Sequence, residues 1–328
     1  MGYAILFPLK GPGGNLDTAR DANTMLPVTA EVLWTKDYVD REGFICEGCT
    51  LQVFPASYDR SVNRKRPYFR IGPGETHKGE CWVPGKGAVV AEARKHSVRG
   101  ADGFPMPFPN KLVLDESRGA VADAESTMAN PAQGRVSSTG GTKGAAKGHH
   151  GHTARTIRPV CKAFCNMPFD RDVLPLRIPG VDGSTYGQIF RHAKAALRRS
   201  GDARALYYGP IRWAAKPVII DDGCELTLNT GEWSEEKRSF TSLMRVRLDW
   251  KAWTPAQQRA IVRDYEVAQE DAREEANSGG KKKGLLFFVG TVDASDRALF
   301  HTSEFRMVCC LTDELVVPDR TDAKAARG

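Results

Sequence analysis

The strictest alternation of apolar and polar positions in the chain is "LMRVRLDWK", residues 243–251. Met244, Val246, Leu248 and Trp250 face one way there, and Arg245, Arg247, Asp249 and Lys251 the other. A period of two is what a strand with one buried face requires. "CELTLN" (224–229) repeats it, with Cys224, Leu226 and Leu228 on the apolar side. "RALYYGPIRW" (204–213), "GLLFFVGTV" (284–292) and "EFRMVCCL" (304–311) predict three further strands, the last two apolar enough to be buried on both faces. Between the third and fourth of these five runs the period becomes helical. Thr254 and Gln257 form a capping box around Pro255, then Ile261, Tyr265, Ala268 and Ala272 make one stripe until "NSGG" ends it. Three strands, a long helix and two strands predict an OB-fold-like five-stranded barrel over 205–318, a fold whose open sheet face holds oligonucleotides. A small sandwich with a packed helix satisfies the same pattern.

Upstream, "TAEVLW", "TLQVFP" and "PYFRI" predict the strands of a small β-rich domain within residues 1–115. Residues 116–153 are Gly-, Ala-, Ser- and Thr-rich, with no bulky apolar period to offset chain entropy, and predict a flexible linker. A helical connecting segment is expected over 154–204. It starts with a short helix at Ile157–Met167 carrying Cys161 and Cys165, which read as core thiols. A second helix is capped by Thr185 and Gln188, is apolar at Ile189, Phe190, Ala193, Ala196 and Leu197, and ends at Gly201. Residues 319–328 form a tail. The expected class is α+β, mostly β.

Length and composition agree with two domains: 328 residues, 41% hydrophobic. The chain has no run of eighteen apolar residues, and "MGYAILFPLKGPGG" lacks the basic start and length of a signal peptide, so a cytoplasmic protein is expected, with no membrane partner. Gly2 does not make a myristoylation signal, because Leu6 stands where Ser or Thr is needed. A formal charge of +7 leans toward a polyanionic partner.

Eight cysteines in such a chain point to metal ligands or buried small side chains rather than a disulfide framework. Four residues have ligand spacing: Cys46 and Cys49 two apart around Gly48, then, 27 residues on, His77 and Cys81 three apart. Three thiolates and an imidazole would fill a tetrahedral Zn²⁺ shell with no place for a substrate water, so the expected zinc site is structural. The alternative is two hairpin thiols and a loop histidine with no metal. His149, His150 and His152 lack the support that orients ligands.

The order of an aromatic, "CEGC", a hydrophobic strand, "RKRPYF" and "HKGEC" resembles the N-terminal zinc-binding region of CoiA-like competence proteins, over roughly residues 40–85. The chain departs from the His-Phe-Ala-His often found in that family, reading Tyr68, Phe69, Arg70, Ile71. The resemblance implies a role in processing incoming DNA. The restriction-endonuclease-type domain of many such proteins has no counterpart in the sequence.

Basic residues cluster in two places. Arg60, Arg64, Lys65, Arg66 and Arg70 stand against Asp59 alone. Arg191, Lys194, Arg198, Arg199, Arg204, Arg212 and Lys216 stand against Asp202 alone, interleaved with Tyr207, Tyr208 and Trp213. Positive charge that tracks phosphates beside aromatic faces that stack on bases is the chemistry of single-strand binding. Arg64, Lys65, Arg66, Arg198, Arg199, Tyr207, Tyr208, Arg212, Trp213, Arg245 and Arg247 are therefore the candidate contacts for single-stranded DNA or RNA; the competing reading puts the aromatics in the core and the charges on a solvated face. A catalytic site is not expected. Asp221, Asp222, Asp249 and Lys251 come nearest to a metal-dependent nuclease set without its spacing. "NSGGKKKG" is not a phosphate loop, and Cys309 and Cys310 have no neighbouring His. The expectation is a nucleic-acid-binding protein with a structural zinc, the alternatives being a nuclease of CoiA-like type or an adaptor with protein partners.

Overall fold

In the computed structural model, which describes residues 15–59, 63, 65–100, 103–114, 151–198 and 204–318, the chain is mixed α+β and mostly sheet. The N-terminal part holds two small sheets. In the first, β1 (Thr18–Asp21) lies between β2 (Pro27–Thr29) and β3 (Phe44–Cys46), antiparallel to both; the second pairs β4 (Val53–Ala56) with β5 (Tyr68–Ile71). Their small core contains Leu33, Phe44, Leu51, Val53 and Phe69.

"TAEVLW", expected as a strand, is instead a 3-10 helix, Ala30–Thr35. Its buried residues, Ala30, Leu33 and Trp34, recur at intervals of three and four, which one helical face satisfies and an alternating strand does not. Helix α1 (Lys86–Ala93) follows the cysteine-rich region.

Strands β6 (Phe108–Leu112) and β7 (Gly151–Ala154) pair in parallel, so the last residues of the expected 116–153 linker, 151–153, are part of a sheet; residues 116–150 lie outside the described residues. Helix α2 (Ile157–Asn166) agrees with expectation. The second expected helix does not. Thr185 caps a single turn, α3 (Tyr186–Ile189), and the chain then extends as β8 (Phe190–His192) before a 3-10 helix at Ala193–Arg198. Tertiary packing overrides the local helical pattern: Phe190 stacks on Phe164 at 4.0 Å, and β8 pairs in parallel with β9 (Ala205–Pro210).

The main sheet is completed by β10 (Val218–Ile220), β11 (Gly223–Ser234), β12 (Ser239–Asp249), β13 (Lys283–Val292), β14 (Leu299–Thr302) and β15 (Val308–Asp313), with α4 (Pro255–Asn277) between β12 and β13. Its order is β10-β11-β12-β14-β13-β9-β8, with β15 also paired to β13; β12 and β14 run parallel. The sheet does not close into the expected barrel. Among the described residues, the end of β9 is joined to β11 by an isolated bridge, Ile211 opposite Leu228, and the Arg212 N–H to Thr227 carbonyl bond of 3.2 Å.

The expected alternation in β12 holds: Met244, Val246, Leu248 and Trp250 are buried. With Leu226, Leu286, Phe288 and Phe300 they form a core against Ile261, Tyr265 and Ala268 of α4. Strand β13 is buried on its other face too. There Leu285, Phe287 and Val289 pack with Cys161, Phe164 and Cys165 of α2 and with Phe104, Phe108 and Leu112. At about 1.5–3 kcal/mol for each fully buried large side chain, this core ties residues 93–112 to the C-terminal sheet. An independent 1–115 domain is not what the packing forms.

Ion pairs make the same connection. The fully buried Arg158 of α2 contacts Asp264 of α4, Glu31 at 3.2 Å and the Cys310 carbonyl at 2.8 Å. Burial opposes its charge, but the carboxylates of Asp264 and Glu31 more than compensate and keep it protonated. Arg66 reaches the same carbonyl at 2.8 Å and lies 3.4 Å from Asp264. Among the described residues, no helix is long and apolar enough to cross a membrane.

Candidate metal centre

Strand β3 ends at Cys46, and the chain turns back sharply so that the Cys46 N–H donates to the Leu51 carbonyl at 2.7 Å. Within this turn the Gly48 N–H points at Cys46 Sγ, 3.4 Å away. Arg20 of β1 clamps the turn from behind, its Nε donating to the Cys46 carbonyl at 3.2 Å and its Nη2 to the Cys49 carbonyl at 2.9 Å. The second half of the site is the loop before the 3-10 turn Val83–Gly85. Gly79 takes a φ of +60° there, which lets His77 and Cys81 face the same point.

All four side chains converge. His77 Nδ1 lies 3.4 Å from Cys46 Sγ, 3.7 Å from Cys49 Sγ and 3.4 Å from Cys81 Sγ, and the Cys46 and Cys81 sulfurs are 3.7 Å apart. The four ligand atoms lie within 4.8 Å of one another, close enough to hold a metal ion. Among the described residues, no other group of three or more His, Cys, Asp or Glu side chains does this. The approach is so tight that a Cβ on Gly48 would lie 2.7 Å from Cys81 Sγ, so only glycine fits.

Without a cation the three thiols are unequal. Burial pushes Cys81 up to about 12 and raises Cys46 as well. At Cys49 burial also acts upward, but hydrogen bonds from the Lys78 and Leu51 N–H groups and from His77 bring it down to about 6. One thiolate is thus stabilised inside the cluster, and a cation supplies the charge that ionises the other two.

The candidate nucleic-acid contacts scatter. Tyr207 is 5% exposed and packs on Phe288 and Phe300, which corrects its assignment as a stacking platform. Tyr208 is packed against Phe164, Phe287 and His192. Both faces of β9 are covered, which sequence alternation alone could not reveal. Arg66 is committed to the carbonyl and carboxylates of the α4–β15 junction. Arg245 pairs with Glu225 at 3.2 Å and Asp296 at 2.7 Å, and Arg247 with Asp249 at 3.2 Å. Lys65 is exposed; Arg64, Arg199 and the side chain of Arg198 lie outside the described residues.

Trp213, in contrast, is 43% exposed. It follows the half-buried Arg212 and precedes the exposed Lys216. Arg273 of α4 donates to its carbonyl at 3.2 Å, and the Ile211 N–H to Gly284 carbonyl bond of 2.8 Å brings this loop beside Lys281, Lys282 and Lys283. In the sequence that lysine run is part of "NSGGKKKG", which is not a phosphate loop; the bond that draws it toward the Trp213 loop depends on the β9–β13 pairing.

The residues weighed as a nuclease set form no metal-holding cluster among the described residues, although the Trp250 N–H to Asp222 carbonyl bond of 3.1 Å brings Asp222 beside the end of β12. Asp249 is held by Arg247 and by His301 Nδ1 at 3.2 Å, and Asp293 takes the other ring nitrogen at 3.1 Å. The Ser295 hydroxyl and N–H, then the Asp296 N–H and His301, hold the Asp293 carboxyl well below the usual range. His301 was missed in the sequence because its partners lie 52 and 8 residues away.

No family model, no curated protein and no solved structure matches this chain.

Proposed function

We propose that this is a non-catalytic protein that binds single-stranded nucleic acid, with Zn²⁺ as a structural element of its N-terminal part. The carrying observation is the exposed Trp213 in a loop with Arg212 and Lys216, reached by Arg273 of α4 and held to Gly284 at the start of β13, where Lys281 and Lys283 are exposed and Lys282 pairs with Glu275 at 3.2 Å. An indole face open to solvent stacks on any base, and the cations around it follow the phosphates. Support for an OB-like reading of the C-terminal sheet comes from the order β9-β13-β14-β12-β11, the parallel β12–β14 pair and the position of α4 between β12 and β13.

Zinc is favoured by the donors and their spacing. A tetrahedral ion with bonds of about 2.3 Å to sulfur and about 2.0 Å to nitrogen puts sulfurs roughly 3.8 Å apart and nitrogen roughly 3.6 Å from each sulfur. The observed 3.7 Å and 3.4–3.7 Å match that shell. The resemblance of residues 40–85 to the CoiA-like zinc region is consistent with a role in DNA processing.

The test is fluorescence anisotropy of a labelled single-stranded oligonucleotide at two salt concentrations. Binding should weaken with salt, and Trp213→Ala should cost about 1–3 kcal/mol. No binding at low salt ends the proposal; cleavage of the oligonucleotide in Mg²⁺ would favour the nuclease reading instead.

A further inference from the structure

The 3-10 helix Ala30–Thr35, the start of α2 and the first half of α4 enclose a cavity of about 40 Å³. Trp34, Glu31, Asp264 and Thr156 line it. Trp34 is 1% exposed, and the side chains of Asp264 and Glu31 are 5% and 11% exposed. Trp34 Nε1, Glu31 Oε2 and Thr156 Oγ1 are all buried without a hydrogen-bond partner among the described residues, while Asp264 Oδ1 faces Arg66 Nη1 at 3.4 Å. Buried polar atoms are ordinarily satisfied, so three around one cavity define what should enter it.

The charges of this chamber are already matched. Arg158 and Arg66 face Glu31 and Asp264, so a charged group entering would be buried without compensation. What remains is a hydrogen-bonding demand: one acceptor for the Trp34 N–H, and donors for the Glu31 carboxylate oxygen and the Thr156 hydroxyl oxygen. A primary carboxamide offers that set, its carbonyl accepting and its two N–H bonds donating. Its three heavy atoms suit the volume, since one water-sized occupant takes about 10–15 Å³ by the same measure.

A second cavity of about 340 Å³ adjoins the first and shares Thr29, Val32, Thr156 and Phe305 with it. Leu26, Pro27 and Val28 add apolar wall, and Asp21, Glu47, His152, Arg155 and Arg306 supply polar groups around it. A space of this size takes a small organic body. We propose that the two cavities form a binding site for a small aromatic or otherwise compact apolar molecule bearing a primary carboxamide, with the amide in the inner chamber between Trp34, Glu31 and Thr156. This site is separate from the metal centre and from the basic surface around Trp213.

Benzamide is the probe, with benzoate and benzylamine as charged controls of the same shape. The whole metal-loaded protein, ¹⁵N-labelled, is titrated while the six tryptophan indole N–H resonances are followed, the Trp34 signal being identified as the one missing in Trp34→Phe. The expected result is a saturable shift of the Trp34 indole with benzamide, and none with either control at equal concentration. Trp34→Phe should bind benzamide about tenfold more weakly or worse. If Trp34→Phe does not fold, the Trp34 indole is assigned instead by its nuclear Overhauser contacts to Ala260 and Val267, Glu31→Gln replaces it as the weakened variant, and the wild-type titration still decides. No shift at millimolar benzamide, a shift confined to other tryptophans, or equal shifts with benzoate would each overturn the proposal.

Discussion

Changing Arg158 to methionine keeps the length and apolar stem of the side chain and removes its charge. In the folded protein that charge faces Asp264, Glu31 at 3.2 Å and the Cys310 carbonyl at 2.8 Å, with 6% of the side chain exposed. After the change Glu31 loses its guanidinium partner inside the protein. Asp264 keeps the Cys310 N–H at 2.8 Å and Arg66 at 3.4 Å. Breaking a buried pair by removing one member costs about 3–5 kcal/mol, and the contacts Asp264 retains place the cost near about 3 kcal/mol. For a chain of this size that corresponds to a fall in Tm of roughly 4–5 °C. The assay is denaturant unfolding of the metal-loaded protein by tryptophan fluorescence, with Arg158→Met, Asp264→Asn and the double variant compared. Because Asp264→Asn also removes an uncompensated charge, the double variant should be more stable than the sum of the single losses by about 0.5–3 kcal/mol. A loss below about 1 kcal/mol for Arg158→Met, or strict additivity, would refute the idea that this ion pair holds the two halves of the chain together.

Gly48→Ala places a methyl group 2.7 Å from Cys81 Sγ and should weaken metal binding at least about tenfold in competition with a chromophoric chelator; wild-type affinity would show that the knuckle has room to move. Elemental analysis should find one transition-metal equivalent per chain, and chelation should lower the unfolding midpoint seen by both fluorescence and circular dichroism, since metal binding and folding are linked. Tyr207→Ala opens a cavity among Phe288 and Phe300 and should cost about 3–5 kcal/mol of stability, whereas Trp213→Ala, at an exposed position, should stay within about 0.5 kcal/mol in the same unfolding assay. Equal losses for the two aromatic variants would contradict this placement.

Of the two expected capping boxes, the one at Thr254 and Gln257 starts the long helix α4, while Thr185 caps only one turn. Locally the two sequences carry the same signal. They part company because Phe190 finds a stacking partner on α2, and β8 an open edge on β9, neither of which is near it in sequence. The Cys/His cluster was legible for the opposite reason: Cys46 with Cys49, and His77 with Cys81, are two short-range pairs with ligand spacing, and only the meeting of the pairs had to be supplied by the fold. The burial of Tyr207 was not legible, because alternate residues of a strand face opposite sides, and a basic neighbourhood says nothing about whether both sides are covered.

From its sequence alone this chain determined its period-two strands, the start of α4 and the two half-sites for a metal, since each depends on residues no more than about four positions apart. Tertiary structure alone decided that Arg158 meets Glu31 and Asp264, that Arg273 of α4 reaches the Trp213 carbonyl, and that Trp34 borders a polar chamber. Those contacts join residues dozens to hundreds of positions apart. Their energy depends on which surfaces the packed core leaves facing each other, and no local pattern encodes that.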